Sequence, residues 1–169
     1  MNAQEIIEKL NLTPLPWEGG YYREVYRAAE SVAASALPGR YGGDRSFGTA
    51  IYYLLTPETI SALHRVKSDE IFHFYLGDPV TMFLLSAEGE AKTVTLGSDI
   101  AAGQRVQFVV PKFTWQGAVL NDGGKFALMG TTVSPAFTFD DFELGRRAAL
   151  LAEFPDHSEW ITKLTRAES

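Results

Sequence analysis

Apolar and polar positions in this chain switch in short bursts, and the bursts are divided by glycine, proline, asparagine and aspartate. That pattern predicts strands over residues 21–27, 49–55, 62–66, 71–76, 80–85, 91–96, 105–110, 114–120 and 125–133. Turns are expected at Glu88-Gly89-Glu90, Gly97-Ser98-Asp99, Gly103-Gln104 and Asn121-Asp122-Gly123-Gly124. The strand over 49–55 is apolar throughout, as in a strand covered on both faces, whereas 21–27 is mixed on both. Only the two ends carry helical spacing. Ile6, Ile7 and Leu10 make a short helix capped by Asn2 and stopped at Asn11; Leu144, Ala148, Leu151 and Ala152, then Trp160, Ile161 and Leu164, make two more, split by Pro155. The rhythm predicts an all-β sandwich or barrel forming one domain over 1–169: a helix in 1–12, the barrel in 21–139 and outer helices in 140–169. Residues 28–48, rich in Ala, Ser and Gly, read as a long surface loop, either a lid, a partner-contact segment or a stretch without a role.

The chemistry concentrates around residues 61–79. There, 62–66 and 71–76 read as two strands of a hairpin around Lys67-Ser68-Asp69, stopped by Gly77-Asp78-Pro79. His64 precedes the bend and Glu70 follows it, so pairing of the strands would set an imidazole beside a carboxylate. Alternation places Phe72 and Phe74 on the face of Glu70, and His73 with Ile71 and Tyr75 on the opposite one.

Composition narrows the classes. The formal net charge is -6, and no basic cluster exceeds Arg146-Arg147, which argues against nucleic-acid or anionic-membrane binding. The absence of cysteine removes thiolate metal sites, iron–sulfur chemistry and a Cys nucleophile. The first residues are charged and amphipathic rather than leader-like, and no run approaches the roughly 18 apolar residues of a membrane span; a soluble, cytoplasmic protein is expected. Aromatic residues make up 12% of the chain, which favours strands and a ring-lined pocket.

The order His64, Glu70, Gly77 resembles the first conserved motif of the cupin superfamily, with Val66 at the second histidine and Glu58 at its first glycine. The second motif resembles Pro111-Lys112-Phe113-Thr114-Trp115-Gln116, with Phe113 for the glycine and Gln116 for the histidine. Blocks along nearly the whole length look like those of a largely uncharacterised cupin subfamily: EGGYYRE at 18–24, AIYYLL at 50–55, HRVKSDEIFHFY at 64–75, Val110-Pro111 with Trp115-Gln116, and VSPAFTFDDFEL at 133–144. Departures are Pro16-Trp17 for His-Pro, Phe72 for Trp and Phe113 for Gly. The resemblance implies a double-stranded β-helix of jelly-roll type, a ligand cavity inside the barrel and a homodimer.

At the matched positions, the resemblance offers His64, Glu70 and Gln116 as ligands of a divalent metal, where a working metal cupin resembles a set of three histidines and one glutamate. His157 falls in the outer helices, and His73 would join only if a bulge turned it inward; outward, it belongs to a dimer interface or to hydrogen bonding beneath it. Without metal, His64 and Glu70 are the acid–base pair and Gln116 a hydrogen-bond donor to ligand. Tyr21, Tyr52, Tyr75 and Trp115 could stack on a sugar ring or a base, and Arg23 or Arg65 could pair with an anionic ligand. The leading expectation is a cupin binding a small polar metabolite such as a sugar or nucleotide sugar, with isomerase- or epimerase-like chemistry by His64 and Glu70. The alternatives are a metal-dependent oxygenase and a non-catalytic binding protein.

Overall fold

In the computed structural model, which describes residues 1–167, helix α1 (Ala3–Leu10) leads into thirteen strands, and α2 (Arg147–Glu153) and α3 (Ser158–Leu164) close the chain. The strands are β1 (Thr13–Pro14), β2 (Tyr21–Arg27), β3 (Ser31–Val32), β4 (Arg45–Ser46), β5 (Thr49–Leu55), β6 (Ile60–Val66), β7 (Glu70–Gly77), β8 (Val80–Leu85), β9 (Ala91–Leu96), β10 (Gln107–Val110), β11 (Trp115–Leu120), β12 (Ala127–Val133) and β13 (Phe142–Leu144). Two antiparallel sheets, ordered β1-β2-β5-β12-β7-β10 and β13-β6-β11-β8-β9, face each other as a jelly roll, and β3 pairs with β4 in a small ribbon. Asn2 and Glu5 form a capping box that starts α1, and Asn11 ends it in the left-handed region.

Period-two alternation builds three apolar layers. Tyr53, Leu55, Phe72, Phe74, Met82 and Met129 fill the space between the sheets. Leu63, Phe83 and Trp115 face the other way, under Leu150, Ile161 and Leu164 of α2 and α3. Leu54 and Leu128 pack under Ile6 of α1, so β5 is apolar throughout because both of its faces are covered. Each fully buried side chain of this kind stabilises by about 1.5–3 kcal/mol. The filling is uneven along the barrel. The inward series Phe74, Phe72, Glu70 on β7, Ala118, Gln116 on β11 and Met129, Thr131 on β12 each pass from apolar to polar toward the same end.

The expected hairpin over 61–79 does not form. β6 lies between β11 and β13, and β7 lies between β12 and β10, in opposite sheets. Both strands are apolar on two faces and take two neighbours each, so Lys67-Ser68-Asp69 crosses from one sheet to the other instead of reversing a ladder. His64 and Glu70 therefore approach across the barrel. The stretch from Asp140 first adds β13 to the edge of the second sheet, pairing Phe142 with Val66 and Leu144 with His64, before the helices begin. The 28–48 loop holds β3, β4 and a 3-10 turn at Ala34–Ala36, and Arg45 fastens it to Asp141.

Gly77 ends β7 at φ 105°, where a Cβ would sit on the Phe126 carbonyl oxygen. Gly77→Ala is expected to cost about 1–3 kcal/mol. Gly103, at φ 84° with open space around it, supplies the control, since Gly103→Ala carries only the backbone penalty. Thermal unfolding of the two variants checks this: Gly77→Ala must melt below Gly103→Ala.

Candidate functional site

A cavity of about 300 Å³ opens at the polar end of the barrel. Its base is assembled from four separate segments. The loop before β2 brings Glu18, held by the Ala62 N–H donating to its carbonyl at 2.9 Å and by Gly19 and Gly20 at φ 102° and 70°. A side chain at Gly19 would place Cβ 2.5 Å from the Ile60 carbonyl, so this close approach needs glycine. The Tyr53 hydroxyl donates to the Gly19 carbonyl at 3.0 Å and pins the turn from beneath.

β6 brings His64, buried to 3% exposure. Its Nδ1–H donates to the Ala62 carbonyl at 2.8 Å, which fixes the tautomer and leaves Nε2 free to accept a proton, 3.8 Å from Glu18 Oε2. Glu18 Oε1 accepts from the Ser61 hydroxyl at 2.8 Å, and the Phe142 ring stacks on the imidazole at 5.1 Å. The triplet Glu18, Ser61, His64 is thus a carboxylate held in place to stabilise an imidazolium.

β7 brings Glu70, and β11 brings Gln116, directly opposite His64 in the β6–β11 ladder. The Gln116 amide donates to Glu70 Oε2 at 2.7 Å. Burial pushes the Glu70 carboxyl above its ordinary range; His64 opposes that shift, the Glu18 charge adds to it, and Thr131 and Gln116 partly offset it. Burial also pushes the Tyr53 hydroxyl well above its usual value, with the Glu18 charge adding to the effect. Two buried polar atoms have no protein partner among the described residues: Gln116 Oε1 and Thr138 Oγ1, the latter in a residue of the cavity wall. At the rim, Arg27 is locked to Glu24 by bonds of 3.0 and 2.7 Å and donates to the Phe137 carbonyl at 3.1 Å.

Of the residues singled out from the sequence, His64 and Glu70 line the cavity, and Gln116 lies behind it, bonded to Glu70. Tyr21, Arg23, Tyr52, His73, Tyr75 and Trp115 do not line the cavity. Tyr21 packs beside α1, and Arg23 lies 5.7 Å from the Tyr52 ring centroid on the outer face of the first sheet. Tyr75 meets Tyr52 edge-on at 6.2 Å and stacks with His73 at 6.4 Å. His73 is held between the Thr132 hydroxyl and the Gln107 amide, each at 3.1 Å, with no bulge turning it inward. Trp115 faces the C-terminal helices under the Arg65 guanidinium, 4.4 Å away, and Arg65 itself pairs with Glu143. Alternation is the common reason: each sits one position from an inward residue. Glu18, Glu24, Arg27, Thr131 and Phe137 to Phe139 are site residues that the sequence reading passed over. The signal for Glu18 was a carboxylate set immediately before Gly19-Gly20.

The family described as "Cupin superfamily (DUF985)" matches residues 4–145. Uncharacterized protein YML079W of Saccharomyces cerevisiae is 27% identical over 132 residues, covering 73% of this chain and 66% of that protein, just under two thirds of its length. The crystal structure of protein SO0799 from Shewanella oneidensis shares 42% identity at a TM-score of 0.89 over 99% of both chains. A hypothetical protein from Leishmania major shares 32% at 0.90, over 99% of this chain and 100% of that one. Oxalate decarboxylase of Bacillus subtilis shares the fold, at TM-score 0.55 and 16% identity; this chain covers 39% of it. That enzyme carries Mn(II) centers.

The donor set of this cavity does not fit such a metal. Among the described residues no group of three or more His, Cys, Asp or Glu side chains is placed to hold an ion. Val66 occupies a wall position where a second imidazole would be needed, and the Gln116 N–H points at Glu70, which occupies one carboxylate oxygen. No helix among the described residues is long and apolar enough to cross a membrane.

Proposed function

The chain belongs to the cupin superfamily, in the family described as DUF985, and from that premise we propose that it binds a small polar metabolite at the open end of its barrel and moves a proton on it. One observation carries the reading: an imidazole with a free Nε2 and a carboxyl whose proton affinity burial raises enter the same cavity from opposite sheets. Such a pair is a base and an acid poised together.

The chemistry is an isomerase- or epimerase-like proton shift. His64 Nε2 removes a proton from carbon beside a carbonyl, and Glu18 stabilises the imidazolium that results. Glu70 delivers its proton to the developing enolate oxygen or to the opposite face of the carbon. In the isomerase-like course His64 gives its proton to the neighbouring carbon and Glu70 takes one back from the hydroxyl of that carbon; in the epimerase-like course His64 releases a proton to solvent and Glu70 takes one from it, so the cycle closes without a redox partner. Gln116 fixes the Glu70 carboxyl by donating to it.

The test is proton exchange. A panel of aldoses, ketoses and amino sugars is incubated in D₂O with the protein, and loss of carbon-bound proton signal is followed by NMR. His64→Gln is expected to slow exchange about 10²- to 10⁴-fold. Ligand-induced thermal stabilisation without exchange would overturn the catalytic half of the proposal and leave a binding protein.

A further inference from the structure

Charge in the cavity is one-sided. Glu18, Glu24 and Glu70 line it, against Arg27 and His64. Arg27, the one Lys or Arg among the described lining residues, is already engaged. Arg27 gives two bonds to Glu24 and a third to the Phe137 carbonyl, and His64 faces Glu18. Of the cations nearby along the chain, Arg23 lies over the Tyr52 ring, Arg65 pairs with Glu143, and Lys67 and Arg45 are held by Asp141, all outside the cavity lining. Among the described lining residues no cation is left to receive an anionic ligand. One unpaired atom belongs to the wall: Thr138 Oγ1, buried without a protein partner among the described residues, can accept a hydrogen bond from a ligand.

The mouth has a different character. Tyr22, Phe137 and Phe139 line it, Phe139 is 44% exposed, and Trp17 meets Phe139 edge-on at 5.5 Å while 61% exposed itself. Aromatic faces at this density suit an apolar or planar body, and their π-electrons also favour a nearby cation.

Resting on the reading that this cavity binds a small ligand, we infer that the site selects a cationic or uncharged ligand carrying hydrogen-bond donors at one end and an apolar or ring-shaped body at the other, and that it rejects anions. Sugar phosphates, nucleotide sugars and carboxylates are then excluded as substrates. Amines and polyols with a ring are favoured. An anionic head would meet the Glu18 carboxylate and an Arg27 already paired with Glu24, whereas an ammonium or hydroxyl finds acceptors at Glu18 and Thr138.

Three probes matched in body and differing in head test this: benzylamine, benzyl alcohol and benzoate. Each is titrated to millimolar concentration at neutral pH while the His64 ring resonances are followed by NMR. Benzylamine is expected to bind at least about tenfold more tightly than benzoate, with benzyl alcohol between them. In Glu18→Gln the preference for amine over alcohol should shrink several-fold while the alcohol affinity holds, a readout that loss of fold would not mimic. Benzoate binding as tightly as benzylamine overturns the inference, and so does the absence of any His64 response to all three. The D₂O exchange experiment decides the underlying reading separately, because it scores turnover of sugars and not the charge of the head group.

Discussion

Arg45→Ala is expected to cost about 3–5 kcal/mol of folding stability, a large share of the roughly 5–15 kcal/mol that a domain holds in total. Arg45 and Asp141 are 5% and 4% exposed and joined by two parallel bonds of 2.7 Å each. The remaining Arg45 donors reach the carbonyls of Gly43 and Asp44 at 3.1 and 2.9 Å, so the guanidinium also organises its own loop. Removing it leaves a buried carboxylate with only Lys67, 3.4 Å away, as counter-charge. The large term is that orphaned charge and not the worth of the pair. Arg45→Met combined with Asp141→Leu should therefore recover most of the loss, because neither charge then needs solvating.

Burial works against ionisation of Asp141, but the Arg45 bonds and charge, followed by Lys67, hold its carboxyl below the ordinary 3.8. A carboxyl lowered in the folded state stabilises above its unfolded value, and that stabilisation is lost as pH falls through the folded value. Acid unfolding should begin below about pH 3.8 in the native chain, and its Asp141 component should diminish in Arg45→Ala. Urea denaturation of the single and double variants across pH decides the matter. A single-variant loss under about 1 kcal/mol would mean that the pair behaves as a solvated surface contact.

The same pair shows why part of the site escaped the sequence. Arg45 and Asp141 are 96 residues apart, and Ser61 and Glu18 are 43 apart. Contacts of that range leave no local periodicity to read. What is periodic was legible: Val80, Met82 and Leu84 fall on one face of β8 and Phe83 and Leu85 on the other, as alternation requires. The turn at Lys67-Ser68-Asp69 was legible too, but its neighbours were not, because turn chemistry says that the chain bends and not which sheet receives it. Alternation already sets His73 and Tyr75 opposite Glu70, as the structure has them, whereas Tyr52 and Trp115 stand out by their chemistry without a face assigned. Their immediate neighbours, Tyr53, Phe72, Phe74 and Gln116, take the inward positions, and adjacent strand residues cannot share a face. Glu18 stands in the sequence only as the head of the EGGYYRE block, and its place in the cavity depends on the left-handed Gly19-Gly20 turn that folds it against β6.

Glu70→Gln is expected to stabilise the protein while abolishing its chemistry. Burial first, and the Glu18 charge after it, raise the Glu70 carboxyl above its ordinary 4.5 against the pull of His64, Thr131 and Gln116. The sign follows from proton counts. Between pH 4.5 and the raised folded value the native state holds a proton that the unfolded chain has released, so stability falls as pH rises through that window. A glutamine has no proton to lose there. The variant and the native protein should match below pH 4.5, and above it the variant should gain about 1.4 kcal/mol for each pH unit until the folded value is passed. The new amide can also donate to Gln116 Oε1, which has no protein partner in the native chain. Exchange of substrate protons should fall about 10²- to 10⁴-fold, since the acid is gone. A buried carboxylate that destabilises its own fold is what a functional group does, and a structural one would do the reverse. Glu70→Gln melting below the native protein in mildly alkaline buffer would show that Glu70 is held ionised as part of the scaffold, and would remove the acid from the proposed mechanism.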